Sequence, residues 1–173
     1  FSCGVSINNL SLNENDIGDF KTFLKLSPPL RTETDRNALV QGLNDETIDV
    51  IVSDHKPEDE ENKRLTFAQA ETGASGIETL LPLSLELYHN GSVELETIIK
   101  ALTSKPAEIL KINKGNLSIG NDADFCIVDI NKPWVVRKEK LISKSKNTPI
   151  EDKKLQGKVI STFVNGEELF KSE

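Results

Sequence analysis

The spacing of apolar and polar residues divides the chain into an α/β part followed by a part rich in β-strands. Residues 1–7 and 48–52 are short runs of strand-forming residues, and the second run is apolar on both faces, which is typical of a strand buried in a parallel sheet. Apolar residues at helical spacing predict helices over residues 32–43, 76–89, 93–103 and 106–112. Asparagines after the first strand and the charged run 58–64 predict loops.

The pattern changes after Gly115, where strand-like runs replace helical spacing. These runs cover residues 125–128, 134–136, 159–164 and 167–170. Asn165-Gly166 separates the last two runs and predicts a two-residue hairpin turn. The sequence therefore predicts an α/β unit over residues 1–113 and a small all-β unit over residues 114–173.

Composition and charge narrow the classes of function. The chain has 173 residues, 28 acidic against 21 basic side chains, a net charge of −7 and 36% hydrophobic residues, which fits a soluble globular protein. An acidic balance without a basic stretch argues against nucleic acid or an anionic membrane as partner, so we expect a small polar substrate or another protein. No apolar run is long enough to span a bilayer, no export signal is visible, and a cytoplasmic location is predicted.

The two cysteines do not form a recognisable redox or metal motif. Cys3 and Cys126 lie far apart, each within a strand-like run, which predicts buried free thiols, with a single disulfide as the alternative. Two isolated histidines together with these cysteines do not make a zinc site, because such a site takes three or four protein ligands.

The sharpest candidate for chemistry is Ser53-Asp54-His55, at the carboxyl end of the buried strand 48–52. Parallel α/β folds place ligand-binding and catalytic groups at this end of their strands, and a carboxylate there can bind a metal or carry a proton. The competing interpretation is that Asp54 only caps the next segment and that His55 is a polar loop residue. Both interpretations stay open at this stage.

Other polar positions have structural explanations beside functional ones. Arg31 could bind a substrate carboxylate, but pairing with a nearby acid is the favoured interpretation, and His89 is predicted to lie on the surface at a helix end. The segment between Gly73 and Gly76 could present free N–H groups to an anionic or carbonyl ligand, or it could simply pack tightly. The polar run 143–149 predicts a solvated loop.

Taken in order along the chain, several segments resemble the C-terminal part of a dihydroorotase of the cyclic amidohydrolase superfamily. The segments that carry the resemblance are SPPLRTETDRNAL at 27–39, TIDVIVSDHKP at 47–57, GASGIETLLPL at 73–83, KPAEIL at 105–110, GNLSIGNDADFCIVD at 115–129 and SKNTPI at 145–150. The resemblance covers essentially the whole chain, and their joint match is more specific than any one of them.

The resemblance implies a fold and a set of roles. It makes residues 1–7 and 48–52 the last two strands of a (β/α)8 barrel, with a small β-sandwich-type domain after them, and it implies zinc, most of whose ligands belong to the six preceding strands. Asp54 matches the aspartate that contacts the metal and acts as general acid and base. Thr72 and Gly73 match positions whose backbone contacts the substrate. Since the chain lacks an initiator Met and is too short for a barrel, it is expected to be the C-terminal portion of a larger protein, and to aggregate without the rest.

The chain departs from the family pattern at three places. Ser27 stands where the family usually has Asn before Pro-Pro, and Glu58 stands where it has a histidine that binds the substrate carboxylate. The His-His-Leu of the family reads Asn8-Asn9-Leu10. Glu58 reverses the local charge, and the sequence therefore predicts that a carboxylate is not held in the usual manner unless the loop is rearranged.

These observations lead to one expected function and two alternatives. The expected function is zinc-dependent interconversion of N-carbamoyl-L-aspartate and dihydroorotate in pyrimidine synthesis, with the small-molecule substrate at Asp54, Ser27, Glu58, Thr72 and Gly73. One alternative is a non-catalytic dihydroorotase-like subunit that scaffolds an aspartate transcarbamoylase. The other is a related hydantoinase or allantoinase. Assembly with the transcarbamoylase or into a homo-oligomer is an accompanying expectation.

Overall fold

The computed structural model describes residues 1–172, and its first sheet contains two short parallel strands. Strand β1 (Gly4–Ser6) pairs with strand β2 (Val50–Val52) in a register that sets Gly4 beside Val50 and Ser6 beside Val52. The two strand predictions at the start of the chain and at residues 48–52 are confirmed, and so is their parallel pairing. Because the strands run in the same direction, the segments that follow them leave the sheet at the same edge.

Within residues 1–172, six α-helices follow one another between β1 and the second half of the chain. They are α1 (Ile7–Ser11), α2 (Glu33–Asn44), α3 (Glu60–Lys63), α4 (Leu80–His89), α5 (Leu95–Leu102) and α6 (Ser104–Leu110), with 3-10 turns at Glu14–Ile17, Thr22–Leu24, Ile77–Thr79 and Lys138–Lys140. The four longer predicted helices are confirmed to within a few residues.

Helix α2 shows how local sequence sets a helix start. The Thr32 hydroxyl accepts the N–H of Asp35 at 3.2 Å, and the Asp35 carboxylate accepts the N–H of Thr32 at 3.1 Å. This capping box satisfies two backbone donors that the helix cannot pair itself. The hydrogen bonds from Thr32 lower the pKa of Asp35. Arg31 pairs with the same carboxylate at 4.0 Å, as the structural interpretation of Arg31 predicts.

Two segments predicted as loops contain short helices instead. After β1, Ser6 caps helix α1 by accepting the N–H of Asn8 at 3.3 Å, while Ile7 and Leu10 are fully buried. In the charged run 58–64, helix α3 ends at Lys63, which is only 2% exposed. Both predictions were wrong because burial against the rest of the chain outweighed the polar composition on which they rested.

The second half of the chain forms a three-stranded antiparallel sheet. Strands β3 (Phe125–Val135), β4 (Lys154–Val164) and β5 (Glu167–Lys171) lie in the order β3-β4-β5. The runs 125–128 and 134–136 belong to one strand, except that Val136 follows its end, and this strand has irregularities in its pairing with β4. Asn165 and Gly166 both have positive φ, 52° and 81°, as the predicted hairpin turn requires.

The two predicted units share one hydrophobic core. Val136 and Leu155 from the second unit belong to the same buried cluster as Leu83 and Ile51 from the first. The Lys153 ammonium also lies 2.7 Å from the carboxylate of Glu86 in helix α4. The boundary at 113/114 stays a prediction, but any division there must leave these surfaces packed together.

The cysteine prediction is wrong in part. Both thiols are free, but Cys3 is half-buried and Cys126 is exposed, since the face of β3 that carries Cys126 is not covered by residues 1–172. His89 is exposed at the end of α4, as predicted, with Nε2 at 2.9 Å from the carbonyl of Ile130. Within residues 1–172, no helix has the length and hydropathy needed to cross a membrane.

Helix α4 packs closely on β4 at Gly157, and this contact yields a test of the shared core. Gly157 has φ +103°, and a Cβ there would overlap Leu85 Cδ1. We expect Gly157→Ala to lower the free energy of unfolding of the whole protein by about 1–3 kcal/mol, measured by denaturant titration. Gly120→Ala is the control, because Gly120 has a similar φ of +96° with no atom within 4 Å. Equal losses in both variants would rule out the packing explanation.

Candidate functional site

The candidate site is built where β1 and β2 end. Asp54 follows β2 with φ +48°, a left-handed conformation that aspartate tolerates better than most residues. Its side chain is half-buried, and its carboxylate has no hydrogen-bond or ion-pair partner within residues 1–172. Asp54 is therefore not the helix cap of the competing interpretation, and its oxygens are available to a ligand or a proton.

The neighbouring His55 holds the next loop in place. Its Nδ1 accepts the N–H of Gly76 at 3.2 Å and that of Ile77 at 3.4 Å, and its backbone bridges to Ala74. An Nδ1 that accepts hydrogen bonds carries no proton, so the neutral ring has its proton on Nε2. The Gly76 N–H, one of the donors that the Gly73–Gly76 segment could have offered to an anion, is therefore bonded to His55 instead. A Cβ on Gly76 would also lie 2.5 Å from the Ser53 carbonyl oxygen, which favours tight packing.

Thr72 and Gly73 lie directly beside the segment that follows Asp54. The Lys56 ammonium donates to the Thr72 carbonyl at 2.8 Å, and a Cβ on Gly73 would lie 2.6 Å from the Lys56 carbonyl oxygen. Gly73 also donates its N–H to the Lys25 carbonyl at 2.9 Å, and Ser27 is exposed two residues beyond Lys25. The segments that carry Ser27, Thr72 and Gly73 therefore lie at the same edge of the parallel sheet as the segment that follows Asp54.

The Glu58 carboxylate is paired in the folded chain, and the predicted reversal of charge at this position stays a prediction. The Lys56 ammonium lies 3.4 Å from the Glu58 carboxylate, and the two side chains are 54% and 15% exposed. Glu60 and Glu61 turn toward Arg64, at 2.8 Å and 3.1 Å. The acidic residues therefore differ in environment: Glu58 is mostly buried and pairs with Lys56, whereas Glu60 and Glu61 are exposed and pair with Arg64.

A second lysine, Lys63, holds together the segments next to Glu58 and Thr72. The buried Lys63 ammonium donates to the carbonyls of Glu71 at 2.6 Å and Thr22 at 3.2 Å. Burial lowers the pKa of Lys63, and the nearby Glu58 carboxylate opposes that shift by favouring the charged form. Sequence reasoning missed Lys56 and Lys63, because local composition does not say which member of a charged run turns inward.

The polar run 143–149 is not the solvated loop that its composition predicts. Asn147 is 2% exposed and Thr148 is 1% exposed, and Asn147 hydrogen-bonds to the loops that carry Glu58 and Gly73. A cavity of about 400 Å³ opens beside them, lined in part by Phe23, Glu58, Asn147 and Lys144. No local signal in the sequence marks Asn147 as buried, since Glu58 and Gly73, the partners that enclose it, lie more than 70 residues away.

Residues 1–172 do not by themselves form a metal site. Among residues 1–172, no three His, Cys, Asp or Glu side chains come together as a ligand set. Asp54 is a suitable oxygen ligand, but zinc takes three or four protein ligands. Asn8 is 1% exposed, and neither atom of its side-chain amide has a hydrogen-bond partner within residues 1–172. Asn9 donates to the Pro29 carbonyl at 3.2 Å, so it serves the packing of this edge.

The sequence is similar to known proteins over nearly its whole length. Residues 7–169 match the amidohydrolase family. The dihydroorotase of Ehrlichia canis (strain Jake) is 44% identical over 165 residues, which is 95% of this chain and 37% of that protein. The dihydroorotase of Anaplasma phagocytophilum (strain HZ) is 42% identical over 172 residues, which is 99% of this chain and 38% of that protein.

The fold is also similar to solved structures. The L-hydantoinase (dihydropyrimidinase) from Arthrobacter aurescens superposes with a TM-score of 0.93 at 28% identity, covering 98% of this chain and 39% of that chain. This chain therefore spans about two fifths of the length of the proteins that it matches.

The contact between Gly73 and Lys56 yields a test of how the two loops depend on each other. We expect Gly73→Ala to push the Lys56 carbonyl away, because the new Cβ would lie 2.6 Å from that oxygen at a φ of +135°. Hydrogen exchange followed by mass spectrometry should show faster exchange over residues 55–76. Gly91→Ala, at a positive φ without a neighbouring atom, is the control. Unchanged exchange over 55–76 would contradict the contact.

Proposed function

This chain belongs to the amidohydrolase family, and we propose that the whole protein is a dihydroorotase, which interconverts N-carbamoyl-L-aspartate and dihydroorotate in pyrimidine synthesis. The observation that carries the proposal is the Asp54 carboxylate, half-buried and unpaired within residues 1–172 at the carboxyl edge of a parallel sheet. Identities of 42–44% to proteins named dihydroorotase support the choice of substrate.

Asp54 has the properties that a general acid and base needs. Opening a cyclic amide requires a proton to leave the attacking water and a proton to reach the nitrogen of the broken C–N bond. One carboxylate can accept the first proton and deliver the second, provided that both atoms come within hydrogen-bond reach. In the reverse direction, the same carboxylate removes a proton from the carbamoyl nitrogen that attacks.

Lys56 is the group on this chain best placed to hold the substrate carboxylate. Its ammonium lies two residues after Asp54, is half-exposed, and carries three protons, which it directs at the Thr72 carbonyl at 2.8 Å, the Thr72 hydroxyl at 3.3 Å and the Glu58 carboxylate at 3.4 Å. A substrate carboxylate would replace the longer of these contacts. Glu58, which occupies the position of the histidine in the family pattern, orients this ammonium at 3.4 Å. Thr72 and Gly73 lie on the other side of this ammonium. The Thr72 carbonyl accepts from Lys56, and the N–H and carbonyl of Gly73 are bonded to Lys25 and Asn147, so we propose that these two residues shape the subsite. The exposed Ser27 would lie at the rim of this site and contact the substrate there.

The larger architecture is part of the proposal. We infer that β1 and β2 are the last two strands of a (β/α)8 barrel and that β3, β4 and β5 are one sheet of a small β-sandwich. Parallel pairing of β1 with β2 and the TM-score of 0.93 to a hydantoinase support this arrangement. A barrel would enclose the exposed Val52 side chain, which residues 1–172 leave uncovered.

Zinc and cellular location are proposals for the whole protein. Asp54 is the ligand that this chain would contribute, and the remaining ligands would come from the six preceding strands that the resemblance implies. Asn8 and Asn9, which stand where the family pattern has two histidines, would not add to them. Amides are poor zinc ligands compared with imidazoles. Metal analysis of the purified whole protein tests this directly, and stoichiometric zinc is the expected result. A cytoplasmic location, where the pyrimidine precursors would be supplied, completes the proposal.

Two observations keep alternative functions in view. Asn8 and Asn9 favour a non-catalytic dihydroorotase-like subunit that scaffolds an aspartate transcarbamoylase, which would co-purify with that enzyme and contain no zinc. The likeness to a hydantoinase favours a related activity on another cyclic amide, hydantoin or allantoin. Assays of the whole protein on dihydroorotate, hydantoin and allantoin separate these functions from the proposed one.

Replacing Asp54 tests the catalytic assignment. We expect Asp54→Asn to lower kcat for dihydroorotate by about a hundredfold to ten-thousandfold, because the amide cannot carry the proton. The exposed Asp19 provides the control, and Asp19→Asn should behave as wild type. Full activity in Asp54→Asn would remove Asp54 from the mechanism.

Replacing Lys56 tests recognition of the carboxylate. We expect Lys56→Met to raise KM for dihydroorotate by about tenfold to a hundredfold, the worth of a hydrogen bond to a charged group, and Lys56→Arg to recover part of the loss. Lys100→Met is a matched control, since Lys100 is 52% exposed and pairs with Glu96 far from the site. If the two methionine variants have the same KM, Lys56 does not bind the substrate.

A further inference from the structure

One side chain from the C-terminal part of the chain joins both loops of the candidate site. Asn147 Nδ2 donates to the Gly73 carbonyl at 3.1 Å, and Asn147 Oδ1 accepts the N–H of Glu58 at 3.3 Å. Its backbone carbonyl accepts the N–H of Ser75 at 3.2 Å. These partners lie 72 to 89 residues away along the chain, so the contacts are set by the tertiary fold.

The hydrogen-bond chemistry requires an asparagine in one orientation. Gly73 presents an acceptor and Glu58 presents a donor, so the side chain that bridges them must supply one donor and one acceptor on adjacent atoms. Rotating the amide by 180° would set its NH₂ against the Glu58 N–H and its oxygen against the Gly73 oxygen. Aspartate has the same shape but lacks the donor, and would face the Gly73 carbonyl with a second oxygen.

Two serines complete the enclosure of the Asn147 amide. Ser75 Oγ lies 3.1 Å from Asn147 Oδ1, and Ser145 Oγ lies 2.5 Å from the same oxygen. Asn147 and Ser75 are only 2% and 4% exposed, so solvent has little access to this group of hydrogen bonds. Loss of one bond in this group therefore leaves a buried polar atom unpaired.

One of the two loops that Asn147 joins carries Lys56, and the other is the loop that the Lys56 ammonium contacts. Glu58 pairs with the Lys56 ammonium, and Thr72, the residue before Gly73, accepts a hydrogen bond from it. The distance between these loops thus sets where the ammonium points. We infer that Asn147 is a positioning residue that fixes the subsite for the anionic group of the substrate, an inference that rests on the proposed function.

The test compares two isosteric substitutions in the whole protein. Asn147→Asp removes the donor to the Gly73 carbonyl, whereas Asn44→Asp removes a similar donor to the Ser92 carbonyl, 2.9 Å away at the end of α2. We expect Asn147→Asp to raise KM for dihydroorotate by about tenfold and to leave kcat within about threefold, because binding of the anionic group is lost while Asp54 is retained. Asn44→Asp should change neither constant.

Hydrogen exchange gives a second readout that does not depend on turnover. In Asn147→Asp, exchange should become faster at the amides of Glu58, Gly76 and Ile77 and stay unchanged in helix α5. Asn44→Asp should leave all of these amides unchanged. This pattern would support the positioning role even if dihydroorotate proved not to be the substrate.

Each failure has a distinct meaning. An active wild type together with unchanged KM in Asn147→Asp overturns the inference and leaves the proposed function standing. A folded wild type inactive on dihydroorotate overturns the proposed function, and exchange at Glu58, Gly76 and Ile77 then decides the inference. If Asn147→Asp does not fold, Ser75→Ala takes its place, since it removes one contact to the Asn147 oxygen, and an unchanged KM in that variant overturns the inference.

Discussion

The parallel pairing of β1 with β2 is the constraint on which the rest of the site depends. Each strand has only three residues, yet their register makes the segments after Ser6 and Val52 leave the sheet at one edge. Asp54 lies at this edge in a left-handed backbone conformation, and the residues directly after it contact the loop that begins at Thr72. A shift of this register by one residue would move Asp54 relative to every partner loop and would exchange the buried and open faces of the strands.

Charge at this edge is balanced by geometry rather than by composition. A chain with a net charge of −7 and four consecutive acidic residues after Pro57 looks hostile to an anionic substrate. In the folded chain, Glu58 pairs with Lys56 while Glu60 and Glu61 pair with Arg64 in solvent. Within residues 1–172, a half-exposed ammonium that pairs with Glu58 therefore lies two residues along the chain from a carboxylate without a partner, which is the combination that the proposed function uses.

The small antiparallel sheet and its connecting segment take part in the site as well as in the core. Val136 and Leu155 share the buried cluster of the α/β part, and Asn147 bonds to the loops beside Asp54. A boundary at 113/114 divides the chain by local texture, but the interactions cross it. The C-terminal part packs against the loops of the candidate site, which explains why Asn147 and Thr148 of the polar run 143–149 are buried.

Elements with strong local signals could be predicted from the sequence, which also singled out Asp54 as the candidate for chemistry. The two strands, helix α2 and the Asn165-Gly166 turn follow from periodicity and turn chemistry, which act over a few residues. The burial of Lys63 and Asn147, the exposure of Cys126 and the pairing of Lys56 with Glu58 depend on the tertiary structure. Burial and pairing of polar groups depend on residues distant in sequence, since a buried polar atom is stable only where the fold supplies its partner.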